Sequence, residues 1–142
     1  MSSDTISTVI GVRLVRFQPA IKLAARLCYS REDPYAVHIA FSTGKGEPVK
    51  WMVARDLVSA GMWRRVGLGD VTVWPSAGSA PGAPGGVLNI ELSSPYGQAH
   101  FEAAVKEVSD FLRRTYEAVP AGDESAHLDA ELTNLAASLA RE

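Results

Sequence analysis

The stretch KWMVARDLVSAGM, Lys50 to Met62, sets an arginine beside an aspartate where one structural pattern gives way to another. Lys50, Met52 and Ala54 alternate with Val49, Trp51 and Val53, the period of two that marks a half-buried strand. Arg55 and Asp56 follow, and Leu57 to Ala60 then reads as a helical turn stopped by Gly61. Charged pairs at strand ends are where enzymes on many folds keep their chemistry, and such a site would need Arg55, Asp56 and Asp33 to meet in one pocket. The architectural alternative is specific too. Asp56 would N-cap the Leu57 turn, Arg55 would complete a sheet edge or pair with a carboxylate, and Trp51 would be buried.

The remaining reactive residues do not assemble into a familiar site. Asp33-Pro34 and Gly69-Asp70 carry the composition of turns. His38, His100 and His127 fall on three separate elements, without the spacing of a metal site. Cys28, the single cysteine, alternates with Leu27 and Tyr29 and reads as a small buried thiol. Gly44-Lys45 lacks the earlier glycine of a phosphate loop, since that position is Ile39. No nucleophile elbow exists, because Ser79 sits in a Gly/Pro-rich stretch. The residues therefore predict no catalytic, metal-binding or cofactor-binding set, and no cofactor.

Trp51, Trp63 and Trp74 fall near strand ends, where they are either stacking platforms for single-stranded nucleic acid or core and interface packing. The 142 residues carry 14 Lys and Arg against 16 Asp and Glu, a net charge of −2. That balance argues against a partner made of phosphates or anionic lipid. No apolar run approaches the ~18 residues of a membrane span, and MSSDTIST is no signal peptide, so a cytoplasmic protein is expected.

The elements that must position these residues come in two groups. Ile6 to Phe17, Ile21 to Tyr29, Tyr35 to Phe41 and Val49 to Ala54 read as strands, and their short links predict an antiparallel meander. Ile6 to Phe17 is apolar on both faces, as in a strand covered on both sides or shared with another subunit. In the third strand Tyr35, Val37, Ile39 and Phe41 share a face. Val71 to Trp74 and Val87 to Ser93 are further strands around a flexible loop, Pro75 to Gly86, with Asn89 and Glu91 facing out. Ser94 then looks like an N-cap and Pro95 a first-turn residue, opening a long helix whose apolar face runs from Phe101 to Tyr116. Glu102 with Lys106 and Asp110 with Arg114 would pair along it. Val119-Pro120-Ala121-Gly122 ends it. Asp123 or Ser125 caps a last helix with Leu128, Leu132, Leu135 and Leu139 in a narrow seam. The fold class is α+β: one domain over residues 1–122, then a helix over 123–142 that packs on the domain or on a neighbouring subunit.

Taken together, DPYAVHIAF (from Asp33), VKWMVARDLVSAG (from Val49), GDVTVWP (from Gly69), LSSPYGQAHF (from Leu92) and FLRRTYEAVPAGDE (from Phe111) resemble the SsgA-like proteins, actinobacterial sporulation and cell-division regulators. The resemblance spans about Leu27 to Leu132. Within the family, HLDAEL (from His127) is most similar to the short member that marks division sites. It implies a Whirly-like topology, with antiparallel sheets, a long helix and an intertwined homo-oligomer such as a trimer. It also implies a protein without catalysis that binds the tubulin-like division GTPase FtsZ and other SsgA-like proteins, and positions the division ring at septum sites. Asp33, Pro34, Trp51, Arg55, Asp56, Asp70 and Trp74 then become structural motif residues. Trp63, Arg64 and Arg65 are the candidate partner contacts, since interface hot spots favour tryptophan and arginine. A Whirly-like single-stranded nucleic acid binder is the alternative, and an enzyme built on Arg55 and Asp56 ranks third.

Overall fold

The computed structural model describes residues 5–15, 20–42, 44, 46–77 and 86–140, the side chains of 126–131 excepted. Eight strands occur in them: β1 (Thr5–Leu14), β2 (Ile21–Ser30), β3 (Asp33–Ser42), β4 (Val49–Ala54), β5 (Val66–Leu68), β6 (Val71–Ser76), β7 (Val87–Ser94) and β8 (Gly97–Ala104). Three helices accompany them: α1 (Arg55–Gly61), α2 (Val105–Ala118) and α3 (Ser125–Ala140). The strands form one antiparallel sheet in the order β4-β3-β2-β1-β8-β7-β6-β5, an α+β fold. The meander expected from β1 to β4 is present. A second meander, β5 to β8, joins it where Val12–Leu14 pair with Phe101–Ala103.

In a flat sheet β3 and β8, three strand spacings apart, would be separated by about 14 Å. Yet Phe41 on β3 stacks on Phe101 on β8, ring centroids 4.1 Å apart and planes 14° from parallel. The sheet is therefore curled, and its concave face becomes an interior. Helix α2 lies against β1, β7 and β8, adding Val108, Phe111 and Leu112 to a core that includes Ile10, Val12, Leu88 and Ile90. Each such side chain stabilises the fold by about 1.5–3 kcal/mol on burial. Helix α1 packs on β3, β4, β5 and β6, so seven residues bridge the two edge strands of the sheet.

Several expectations give way to pairing. Residues 94–104 are a hairpin and a strand, not the start of the long helix. Ser94 pairs with Gly97, and the Ser94 hydroxyl accepts the Tyr96 N–H at 3.1 Å, a turn rather than an N-cap. Glu102 accordingly faces β1, where Arg13 donates to it at 3.2 Å, and it is no i,i+4 partner of Lys106. Along α2 it is Arg113, not Arg114, that lies 3.7 Å from Asp110. Asn89 is buried rather than outward. Tyr35 is half exposed because an irregularity in the β2–β3 register, between the Cys28↔His38 and Ser30↔Asp33 pairs, breaks the alternation and turns Pro34 and Ala36 inward. The β1 strand is not covered on both faces within this chain, since Val9 is exposed. Residues 16 and 17 of that expected strand and 78–85 of the expected Pro75 to Gly86 loop lie outside the described residues, and Pro75 and Ser76 belong to β6 rather than to the loop. Cys28 and Trp51 are half-buried rather than buried.

Candidate functional site

Arg55 is the first residue of α1, and its side chain is fully buried. Because β4 runs straight into the helix, its guanidinium enters the interior between two aromatic rings, 4.9 Å from the Tyr29 centroid and 4.0 Å from that of Tyr116. Desolvated cation–π contacts of this kind stabilise by about 2 kcal/mol. One nitrogen, Nη1, donates to the carbonyls of Thr115 (3.1 Å), which also accepts the Val119 N–H at 2.9 Å, and of Val119 (2.8 Å), just past the end of α2. The other, Nη2, donates to Glu124 Oε2 at 2.9 Å. Glu124 Oε1 in turn accepts the Gly122 N–H at 2.8 Å, fixing the turn between α2 and α3. The buried Nε–H has no hydrogen-bond partner among the described residues.

The electrostatics agree with this wiring. Glu124 is held below the usual carboxylate range, first by its own backbone N–H and then by Arg55, while burial opposes the shift. Burial raises the phenols of Tyr29 and Tyr116 above the ordinary tyrosine value, although Arg55 partly offsets it. Tyr29 donates its hydroxyl to the Pro34 carbonyl at 3.0 Å, which ties the start of β3 to this corner; Asp33 and Pro34 are strand residues, and the turn expected of them falls on Arg31 and Glu32.

Asp56 does not cap α1. The helix starts two residues earlier than the sequence suggests, with Ala54 at the N-cap position and no side-chain cap. Asp56 thus lands exposed in the first turn, where a carboxylate complements the helix dipole, and accepts the Tyr116 hydroxyl at 3.3 Å. Asp33 lies 3.2 Å from His38 Nε2 at the surface. Arg55 is therefore sealed inside while Asp33 and Asp56 remain outside, and the three do not form a substrate pocket. Asp70 closes the β5–β6 turn, and its carbonyl accepts the Ser93 N–H at 2.9 Å. Among the described residues no group of three His, Cys, Asp or Glu side chains gathers as a metal ion requires.

The second constellation is on the surface. Trp63, just after α1, is 85% exposed, an unusual state for so large an apolar ring. Arg64 and Arg65 beside it are exposed too. The Arg65 guanidinium sits 4.2 Å over Trp74, and the His100 ring tilts against the same indole with centroids 5.1 Å apart. Beneath them, the Asn89 amide donates to the Trp74 carbonyl (3.1 Å) and Ser76 Oγ (2.9 Å), while its Oδ1 lies 2.8 Å from His100 Nε2. Trp63 borders a groove with Met62, Pro75, Ser76, Val105 and Ser109. Trp51 lines a different, apolar groove with Leu14, Leu23 and Phe41, so the three tryptophans do not converge on one stacking platform.

Sequence reasoning missed Glu124, Tyr29, Tyr116 and Asn89 as partners. The first sits one residue past Asp123 in a polar turn, and nothing local distinguishes the two carboxylates. The Asn89 polarity was visible, but polarity at an alternating position signals solvent unless the opposing strand is known.

Comparison with known proteins adds a direct constraint. Residues 23–124 match the family of the Streptomyces sporulation and cell division protein SsgA. The chain is 46% identical over 131 residues to the sporulation-specific cell division protein SsgB of Thermobifida fusca, covering 92% of each chain. It is 44% identical over 138 residues to SsgB of Streptomyces coelicolor, covering 95% of this chain and 98% of that one. The crystal structure of an SsgA-like sporulation-specific cell division protein from Thermobifida fusca superposes with a TM-score of 0.81 over 94% of this chain and 98% of that chain, at 46% identity. A solved structure from work on SsgB mutations that correlate with longitudinal cell division in Streptomyces coelicolor superposes at 0.79, over 87% and 94% of the two chains, at 44% identity.

Proposed function

This chain belongs to the SsgA family of sporulation and cell division proteins, and from that premise we propose that it is a non-enzymatic adaptor that binds the division GTPase FtsZ and positions its ring at sporulation septa. The observation that carries this reading is the similarity to SsgB proteins over nine-tenths of the chain, in sequence and in fold alike. The fate of the Arg55-Asp56 pair supports it. The arginine's Nη donors are spent on Thr115, Val119 and Glu124, and the helix and turn they hold are scaffold.

The partner surface in this proposal is Trp63 with Arg64 and Arg65. An exposed indole beside a groove, followed in sequence by two exposed arginines, suits an acidic segment carrying an apolar side chain. The adaptor acts as a homo-oligomer, so that several weak contacts along a filament combine through effective concentration into stable tethering. No helix among the described residues is long and apolar enough to cross a membrane, so recruitment to the septum would run through protein contacts. Co-sedimentation with polymerised FtsZ tests the reading. Retention that saturates with protein concentration is expected, and its absence at every concentration overturns the proposal.

A further inference from the structure

The sequence leaves the leucine seam of α3 two places to dock, its own domain or another chain. The structure removes the first. Leu132, Leu135 and Leu139 are 53%, 55% and 62% exposed, and every described side chain from 132 to 140 is exposed. A 16-residue helix of about 24 Å is of marginal stability alone in water, so one that stands clear of its domain requires a cover for its apolar stripe.

Its root, by contrast, is anchored. Glu124, the residue before α3, is held by buried Arg55 and by the Gly122 N–H, so the helix leaves the domain from a fixed point. The composition of the helix restricts what can cover it. Ser125 to Ala140 contains no lysine or arginine, and its two charged residues, Asp129 and Glu131, are acidic. An interfacial membrane helix needs the opposite sign. From Leu132 to Ala140 there is no charge at all, leaving nothing for a charged partner to read. The leucines at 128, 132, 135 and 139 follow the 4-3-4 spacing of a and d heptad positions, the pattern by which like helices interdigitate.

We propose that α3 is a self-association helix whose leucine seam docks on α3 of a second copy of this chain. This deepens the oligomeric scaffold reading above by naming the surface, and it predicts contact along Leu132, Leu135 and Leu139 with Ala137 on the far side.

Cysteine cross-linking of the full chain in a Cys28→Ser background tests it. The variants are Leu132→Cys, Leu135→Cys, Leu139→Cys and, as the back-face control, Ala137→Cys. All four positions are exposed in the single chain, so the domain fold is retained. A disulfide requires Cα atoms within about 7 Å, so a docked seam should give at least about tenfold more cross-linked dimer than the control under mild oxidation. Parallel helices link each seam variant to itself, whereas antiparallel helices link Leu132→Cys to Leu135→Cys in a mixture, and either result supports the inference. No link in any seam variant or mixture, as when another protein's helix is the true occupant, overturns it. Equal linking at Ala137→Cys overturns it as well. Seam cross-linking in a chain that fails to co-sediment with FtsZ refutes the adaptor reading alone. Co-sedimentation without cross-linking refutes this inference alone.

Discussion

The guanidinium of Arg55, at the start of α1, lies 2.9 Å from the carboxylate of Glu124, at the root of α3, with 68 residues of chain between them. This one buried pair ties together β4, the end of α2 and the entry to α3. Removing one partner leaves a charge in the interior, which is costly, while removing both together can be nearly neutral. Glu124→Ala should therefore lower stability by about 3 kcal/mol, and Arg55→Met by a similar amount. The double variant should lose markedly less than the sum, and urea denaturation of the four proteins in a double-mutant cycle measures the difference. Strict additivity would show that the pair is not coupled.

The same carboxylate sets an acid limit. Its folded pKa lies below the ordinary value of 4.5, so its contribution is fully present above that value. Stability is then lost as the pH falls from 4.5 through the depressed folded value. Urea midpoints of the wild type should fall between pH 6 and pH 3 more steeply than those of Glu124→Gln. Parallel pH profiles would assign the acid sensitivity to other groups.

Gly61 ends α1 against β6, where a Cβ would fall only 2.6 Å from the Cβ of Val73 and closer still to its Cγ1. Gly61→Ala should cost about 2 kcal/mol or more through overpacking, because both elements are held by the core. Adding Val73→Gly to Gly61→Ala removes both clashing atoms, so the double variant should lose less than the sum of the two single variants. Thermal denaturation of the pair and the single variants reads this directly.

Trp63 predicts a separation of stability from binding. An 85% exposed side chain contributes little to the fold, so Trp63→Ala should stay within about 0.5 kcal/mol of the wild type. If it anchors the partner, FtsZ co-sedimentation should weaken by at least about tenfold, the size of a modest hot spot. Unchanged binding would move the contact surface elsewhere.

Arg65→Ala should cost about 0.5–1 kcal/mol of stability, because its guanidinium covers the Trp74 ring at a partly exposed site. Arg65→Lys should retain part of that, and near-identical melting of all three proteins would count against the contact.

The local order is legible in the sequence: the antiparallel run from β1 to β4, a short helix ending at Gly61, the stop of α2 at Val119-Pro120 and the family motifs. Each is written in residues close together, as alternation, a glycine or a proline. What depends on distant neighbours is set by the folded chain. Residues 97–104 fit the start of a helix through Phe101 and Ala104 that continues at Val105, and equally a strand through Ala99, Phe101 and Ala103. They became β8 because β1 and β7 supply backbone partners on both sides. Asn89 is buried because Trp74, Ser76 and His100 satisfy its amide. Arg55 is a buried clamp because Tyr116, Val119 and Glu124 arrive more than 60 residues later. A burial pattern is a property of the sequence, but the groups that make a buried charge tolerable are gathered only by the fold.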